Sequence, residues 1–250
     1  MLLLVFLFLN GPLLIIVASS FSAGDTLAFP PQGLSLKWMS KVFTIASFRA
    51  SFGLSMILAI GGTALALLIG VPAAYALSRY KTRSSELART VLSLPIIVPG
   101  IVVGLASLRY FVVPLGIGVF LALFLAHSAL VLPYAVRVVS GSLTHLRVDI
   151  EEAAVLLGCS RVGAFFRVVL PNVRNGLMAA FVLGFVTSFN QVPVSLFLSG
   201  PGVRTLPIDM ISYMESTYDP SVAALSVLLA LMTIAVVQIA ERLLGFSRYV

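Results

Sequence analysis

Asp149-Ile150-Glu151-Glu152-Ala153-Ala154-Val155-Leu156-Leu157-Gly158, continued to Val168-Val169-Leu170-Pro171, is the longest charged interruption in the chain and lies between two hydrophobic spans. Asp149 can N-cap a short helix, with Glu152 three residues on at capping-box spacing. Acidic residues crowd the first turn, where the helix dipole favours them. Ile150, Ala153, Ala154 and Leu157 recur at i, i+3, i+4 and i+7, which gives one narrow apolar face. Gly158 permits the left-handed residue that ends a helix. Ser160 can start a second helix from Arg161 to Val169, which Pro171 closes. The expected product is a helix-glycine-helix elbow outside the membrane.

Outward from the elbow the chain turns apolar. Its 250 residues are 60% hydrophobic and 10% charged, against about a quarter charged in ordinary soluble domains. That composition marks an all-α, polytopic membrane protein and excludes a soluble globular enzyme. The single Cys159 excludes an internal disulfide and a multi-cysteine metal site.

Six transmembrane helices are expected. Met1 to Val17 is an apolar run near the lower length limit for a span; a signal peptide is the competing interpretation, although no basic segment precedes the run. Between residues 21 and 50, Met39, Val42, Phe43 and Ala46 could line an interfacial helix with Trp38 at headgroup depth. The second span, about Ser51 to Leu77, carries Gly53, Gly61, Gly62 and Gly70 for close helix packing. A basic loop follows, from Ser78 to near Arg89. The third span, about Thr90 to Val112, holds Pro95 and Pro99 and should be kinked or broken, with Arg109 near its far end either snorkelling to the interface or meeting substrate. The fourth, Val119 to Ser140, places His127 and Ser128 near mid-depth, where an ionisable residue is either functional or a hydrogen-bonded packing residue. The fifth, about Gly176 to Leu198, has Thr187-Ser188-Phe189-Asn190-Gln191-Val192-Pro193 at its centre, the most polar core segment in the chain. Broken helices with freed backbone groups are where transporters place substrates; helix-helix hydrogen bonding is the alternative. Residues 199 to 220 form an external loop, and the last span runs from Ser221 to about Ala240.

Charge placement sets orientation. Arg137, loop 78–90, loop 141–176 and the tail with Arg242 and Arg248 hold eleven basic residues on one side, against Lys37, Lys41, Arg49 and Arg204 opposite. The positive-inside rule puts both termini and the elbow in the cytoplasm. The net charge of +7 is thereby a topology signal, and no nucleic-acid partner is needed.

The elbow resembles the EAA loop of ABC importer permeases: Glu-Ala-Ala, three residues, Gly, nine residues, Ile, any residue, Leu-Pro. Glu152, Ala153, Ala154, Gly158, Leu170 and Pro171 match, and Val168 replaces Ile conservatively. Leu36-Lys37-Trp38, Val71-Pro72-Ala73-Ala74-Tyr75-Ala76-Leu77, Ser199-Gly200-Pro201 and Leu206-Pro207 extend the likeness to the spermidine/putrescine permease group, in particular its second permease subunit. The resemblance implies a type I ABC importer permease fold and a single permease domain over 1–250, with a cytoplasmic coupling loop at about 141–176. It implies a chain of the bacterial inner membrane that does no chemistry and binds no cofactor, ATP being held by a separate ATPase. Its implied partners are a second permease, usually homologous, two ATPase subunits and an extracytoplasmic binding protein. The six matching elbow residues would dock on the ATPase. Thr187, Ser188, Asn190, Gln191 and His127 would line the substrate path. Asn190-Gln191 stands where polyamine permeases tend to carry acids, so ferric iron, thiamine, organophosphonate or sulfonate remain alternative substrates.

Two other classes fit less well. A secondary transporter would show inverted repeats and buried coupling acids. An intramembrane enzyme would need a nucleophile and a base at one depth, which neither Ser128 beside His127 nor Ser142 near His145 supplies. No Walker A motif is present.

Overall fold

Apolar runs dense in Leu, Ala and Val should give helices, and they do, with Pro12, Pro72, Pro95 and Pro133 taken up inside them. The computed structural model describes residues 1–80 and 82–244; Lys81 of the basic loop and Arg248 of the tail lie outside them. Apart from one bridge between Ser22 and Leu34, the described residues form helices α1 (Leu2–Ser20), α2 (Lys37–Val42), α3 (Ala46–Arg79), α4 (Arg83–Ile97), α5 (Gly100–Ser107), α6 (Val119–Thr144), α7 (Val148–Leu156), α8 (Arg161–Ala164), α9 (Arg174–Phe189), α10 (Pro193–Phe197), α11 (Leu206–Ser216) and α12 (Ser221–Leu244). Among the described residues four helices are long and apolar enough to cross a bilayer: α3, α6, α9 joined to α10, and α12. A fifth results if α4 and α5 form one span, bent by 92°.

That bend is the break expected of the third span, and only the span's start differs. Its first helix starts at Arg83, not Thr90, because Thr82 and Ser85 cap each other: the Ser85 N–H donates to Thr82 Oγ1 at 3.3 Å and the Thr82 N–H to Ser85 Oγ at 2.9 Å. Pro95 is absorbed inside α4, whereas Pro99 forces Val98 into extended backbone (ψ 126°). The chain therefore turns a corner there.

The chain divides into two compact units. The first comprises Met1–Leu54 and Pro201–Gln238. Here Trp38 is buried. Its indole N–H donates to the Gly24 carbonyl at 3.1 Å, and the Lys37 and Lys41 ammoniums lie 4.8 and 4.5 Å from its ring centre. Its helix ends at Val42, and Ala46 begins α3 instead. Residues 199–220, expected as a loop, contain α11: its first turn buries Leu206, Ile208 and Asp209, and Thr205 and Pro207 form its start. Asp219 accepts from Lys41 Nζ at 2.7 Å, from the Tyr213 hydroxyl at 3.1 Å and from the Ser221 N–H at 3.0 Å. Burial pushes that carboxyl up, and these three donors outweigh it, so its pKa lies below the ordinary 3.8.

The second unit comprises Ser55–Gly200 and the chain from Ile239 onward. Its core joins Leu67, Val71 and Ala74 of α3 to Ala135, Val139 and Leu143 of α6 and Ala180 of α9. The expected packing role of the glycines holds for three of the four. A Cβ on Gly61 would meet Phe124 at 2.9 Å, one on Gly62 the Ser128 Oγ at 3.4 Å and one on Gly70 Ala135 at 3.0 Å, whereas nothing stands within 4 Å of Gly53.

Candidate functional site

Two places in the second unit gather the residues expected to work, and each is built from broken helix. The first is the elbow. Helix α7 begins two residues earlier than expected: Arg147 is the N-cap residue, and no side chain caps the helix. Asp149 is instead engaged by the Arg147 guanidinium at 2.5 and 3.1 Å. These hydrogen bonds and the adjacent positive charge hold its carboxyl below the ordinary value. The capping box therefore does not form.

The far end behaves as expected. Gly158 has φ +93°; its N–H donates to the Val155 carbonyl and the Cys159 N–H to that of Ala154, both at 3.0 Å. This is the paired bonding of a Schellman end. Ser160 then caps α8, accepting the Gly163 N–H at 3.0 Å. Pro171 does not stop the second helix. A π turn over Phe165–Val169 intervenes, and the helix continues through Leu170–Asn172. Proline lacks only a donor, and the widened turn removes the clash that would break a regular helix.

The elbow's apolar face is unsatisfied within the chain. Leu156 and Leu157 are each 88% exposed, and Ile150, Val162 and Phe166 are exposed as well. Glu152 and Ala153 are exposed and Ala154 is half-buried. Beneath lies a contact the sequence did not suggest. Glu151, not Glu152, turns back to α3, where it accepts from the Tyr75 hydroxyl and pairs with Arg79 Nε at 3.0 Å. Both partners of the ion pair are about nine-tenths buried. The hint available in the sequence was Glu151 standing opposite in charge to Arg79 at the end of the second span.

The second place is the break in the fifth span. Helix α9 stops at Phe189 and α10 restarts at Pro193, so Asn190 and Gln191 sit in the gap, exposed and half-buried respectively. Asn190 Nδ2 donates to the Val186 carbonyl at 3.0 Å, and Thr187 Oγ1 to that of Leu183 at 2.7 Å. His127 of α6 is 1% exposed and faces both sides of the break. Its Nδ1 is 2.8 Å from Ser188 Oγ on α9, and its Nε2 is 3.1 Å from Ser195 Oγ on α10. The Ser195 hydroxyl donates to the Gln191 carbonyl at 2.8 Å, so Ser195 Oγ accepts from the ring. That assigns the proton to Nε2 and leaves Nδ1 to accept from Ser188. The imidazole joins the two half-helices, and Ser195 was the member of this set that the sequence did not flag.

The bent third span abuts the same break. A Cβ on Gly104 of α5 would lie 2.8 Å from the Val194 carbonyl oxygen, and one on Gly100 would lie 3.1 Å from Pro193. Two interrupted helices, α5 and α10, thus meet backbone to backbone. Arg109 is exposed on a π turn beyond α5. Among the described residues no cluster of three or more His, Cys, Asp or Glu could hold a metal ion.

Comparison with known proteins identifies the architecture. The chain is 30% identical to the putrescine transport system permease protein PotI of Escherichia coli (strain K12) over 236 residues, 91% of this chain and 83% of that one. It is 29% identical to the spermidine/putrescine transport system permease protein PotC of Haemophilus influenzae, covering 95% and 92%. A sulfoquinovosyl glycerol transport system permease protein, SmoH of Agrobacterium fabrum, is 30% identical over 83% of this chain and 75% of its own. The fold matches a chain of a bacterial alginate ABC transporter, solved with an alginate pentasaccharide-bound periplasmic protein, with TM-score 0.70 at 13% identity over 96% and 90% of the two chains. It also matches one of the MetNI methionine ABC transporter with TM-score 0.63 at 20% identity, over 78% and 93%. A family model described as "Binding-protein-dependent transport system inner membrane component" matches residues 66–246. The chain, a multi-pass protein of the inner membrane, belongs to that family of transport permeases.

Proposed function

We propose that this chain is one permease subunit of an ATP-driven importer, forming half of the translocation path and coupling it to a separate ATPase. The observation that carries the proposal is the elbow: the Glu152-Ala153-Ala154 spacing to Gly158, with a left-handed glycine setting the angle and large apolar side chains exposed on both short helices. Such a face needs a protein partner. A groove on the ATPase supplies one; closure of two ATPase subunits would pull the elbow and rotate the spans. Glu152, Ala153, Ala154 and Gly158 would make this contact, with Leu170 and Pro171 setting the return into the membrane. Glu151, through Arg79 and Tyr75, would carry the pull to α3.

Within the membrane we assign six spans: α1, α3, the bent α4–α5 pair, α6, the broken α9–α10 pair and α12. Both termini and the elbow are cytoplasmic, where the basic residues lie. Thr187, Asn190 and Gln191 would face the solute at the break, and His127 with Ser188 would hold the break in shape. A second permease subunit, two ATPases and an extracytoplasmic binding protein complete the machine, with ATP bound on the ATPases and no cofactor on this chain. The substrate proposed is a polyamine, by analogy with the putrescine and spermidine/putrescine permeases that the chain resembles. The neutral Asn190-Gln191 pair favours a second reading, an uncharged or anionic solute, because a cation in a dry path prefers carboxylates.

Uptake measured at matched membrane levels tests the coupling role. Glu152→Lys and Gly158→Leu should insert and abolish uptake; normal transport by both refutes it. Thermal shifts of the cognate binding protein with putrescine, spermidine, ferric iron, thiamine, phosphonates and sulfonates decide between the two substrate readings.

A further inference from the structure

Between the end of α3, α4 and the last turns of α6 lies a cleft of about 410 Å³ that neither the elbow nor the broken fifth span uses. Its floor is apolar, formed by Leu77, Pro133 and Val136. Its rim carries two exposed guanidiniums, Arg89 from α4 and Arg137 from α6. Among the described residues neither has a carboxylate within ion-pair distance; the ion pairs present engage Lys37, Lys41, Arg79, Arg147 and Arg204. The Ser140 hydroxyl stands on the same rim.

Depth makes the missing counter-ion informative. Arg137 precedes the end of α6 at Thr144 by seven residues, about 10 Å along the axis. A cation at that level of a span either snorkels to the headgroups or finds an anion there. Beside it, α4 buries no residue and exposes Leu87, Val91 and Leu94 at i, i+4 and i+7. Two cations without an ion pair among the described residues, over an apolar floor and next to an open apolar stripe, match the profile of a phospholipid, with phosphate at one end and acyl chains along the other.

We propose that this cleft binds the phosphodiester headgroup of an anionic membrane phospholipid. Arg89 and Arg137 hold the phosphate, and the chains lie on the apolar floor and the α4 stripe. Basic pockets between membrane helices bind such headgroups through this combination of charges. A free phosphate would meet the same guanidiniums but gains nothing from the floor or the stripe. The proposal needs only that α3 and α6 cross the bilayer, and it stands apart from the substrate and the coupling partner.

The test is thermal unfolding of the full chain, purified with the subunits that accompany it and stripped of lipid in neutral detergent. Phosphatidylglycerol, phosphatidylcholine and inorganic phosphate are titrated separately. Phosphatidylglycerol should stabilise the wild type where phosphatidylcholine and millimolar phosphate do not. Arg89→Gln and Arg137→Gln should each weaken its half-saturation about fivefold, whereas Arg83→Gln, on the same helix but outside the cleft, should leave it unchanged. Ser140→Leu keeps both arginines and narrows the cleft, and it should weaken the response as well. Equal stabilisation by phosphate alone makes this a soluble-anion site and overturns the lipid assignment. An unchanged response in both glutamine variants, or none in the wild type, overturns the site itself.

Discussion

His127 offers the most exacting test of the broken fifth span. Replacing it with Leu removes one hydrogen bond to each half-helix and keeps an apolar side chain of similar size in a site that is 1% exposed. A net hydrogen bond contributes about 1 kcal/mol in soluble proteins, and interhelical bonds measured in a membrane protein average about 0.6 kcal/mol and reach about 1.7. Two bonds therefore put the loss at about 1–3 kcal/mol, including the cost of leaving the Ser188 hydroxyl without its acceptor. For a chain of this size each kcal/mol moves the midpoint by roughly 2–4 °C. Thermal unfolding of the purified transporter should be read as two double-mutant cycles, His127→Leu with Ser188→Ala and His127→Leu with Ser195→Ala. Each should give a coupling of about 0.6–1.7 kcal/mol. His127→Gln, which offers a donor and an acceptor on one planar group, should recover part of the loss. Couplings within about 0.3 kcal/mol of zero in both cycles, the level of ordinary additivity, would refute the idea that the imidazole joins α9 to α10.

Gly104→Leu should destabilise the protein by about 1–3 kcal/mol, because its Cβ would stand 2.8 Å from a backbone oxygen that cannot swing aside; the same substitution at Gly53, where nothing lies within 4 Å, should be far milder by the same melting assay. The Lys41–Asp219 pair should confine its contribution to a pH window. The carboxyl's pKa is depressed, so its share holds above about 3.8 and is lost as pH falls further. The ammonium's is raised, chiefly by its hydrogen bond to Asp219, so its share holds below about 10.5 and is lost above. Tyr213, raised by burial and bonded to the same carboxylate, joins that alkaline limb. Melting profiles should show Asp219→Asn flattening both limbs relative to wild type, and parallel profiles would show that the pair contributes nothing.

How much of this was legible in the sequence follows from what each feature depends on. The elbow was legible because its determinants are local. A glycine at φ +93° and a serine cap at 160 act within four residues of themselves, and the structure bears out both. The helix start failed for a local reason too: Asp149 had a choice between capping and pairing with Arg147, and spacing alone cannot say which wins. The rule for regular helices makes Pro171 a stop, and the π turn before it lies outside that rule. Polar spacing in 199–220 suggested a loop because only two apolar residues, Leu206 and Ile208, anchor the first turn of α11.

What stayed hidden was pairing between residues far apart in sequence. Glu151 and Glu152 are neighbours of one chemistry. Only the fold decides that the first turns inward to Arg79, 72 positions away, while the second faces out. Likewise His127 is legible as an ionisable group at mid-depth, yet its two partners lie 61 and 68 residues on, on opposite sides of a break whose polar centre points to Asn190 and Gln191. The division of labour follows from geometry. A buried ring whose two nitrogens are both spent on hydroxyls has no valence left for a solute, whereas the Asn190 amide, with one N–H on the Val186 carbonyl, keeps a second N–H and its oxygen. In this chain the residue that shapes the break and the residues that could meet a solute are therefore different ones, and substitutions at His127 should act through stability and at Asn190 or Gln191 through transport.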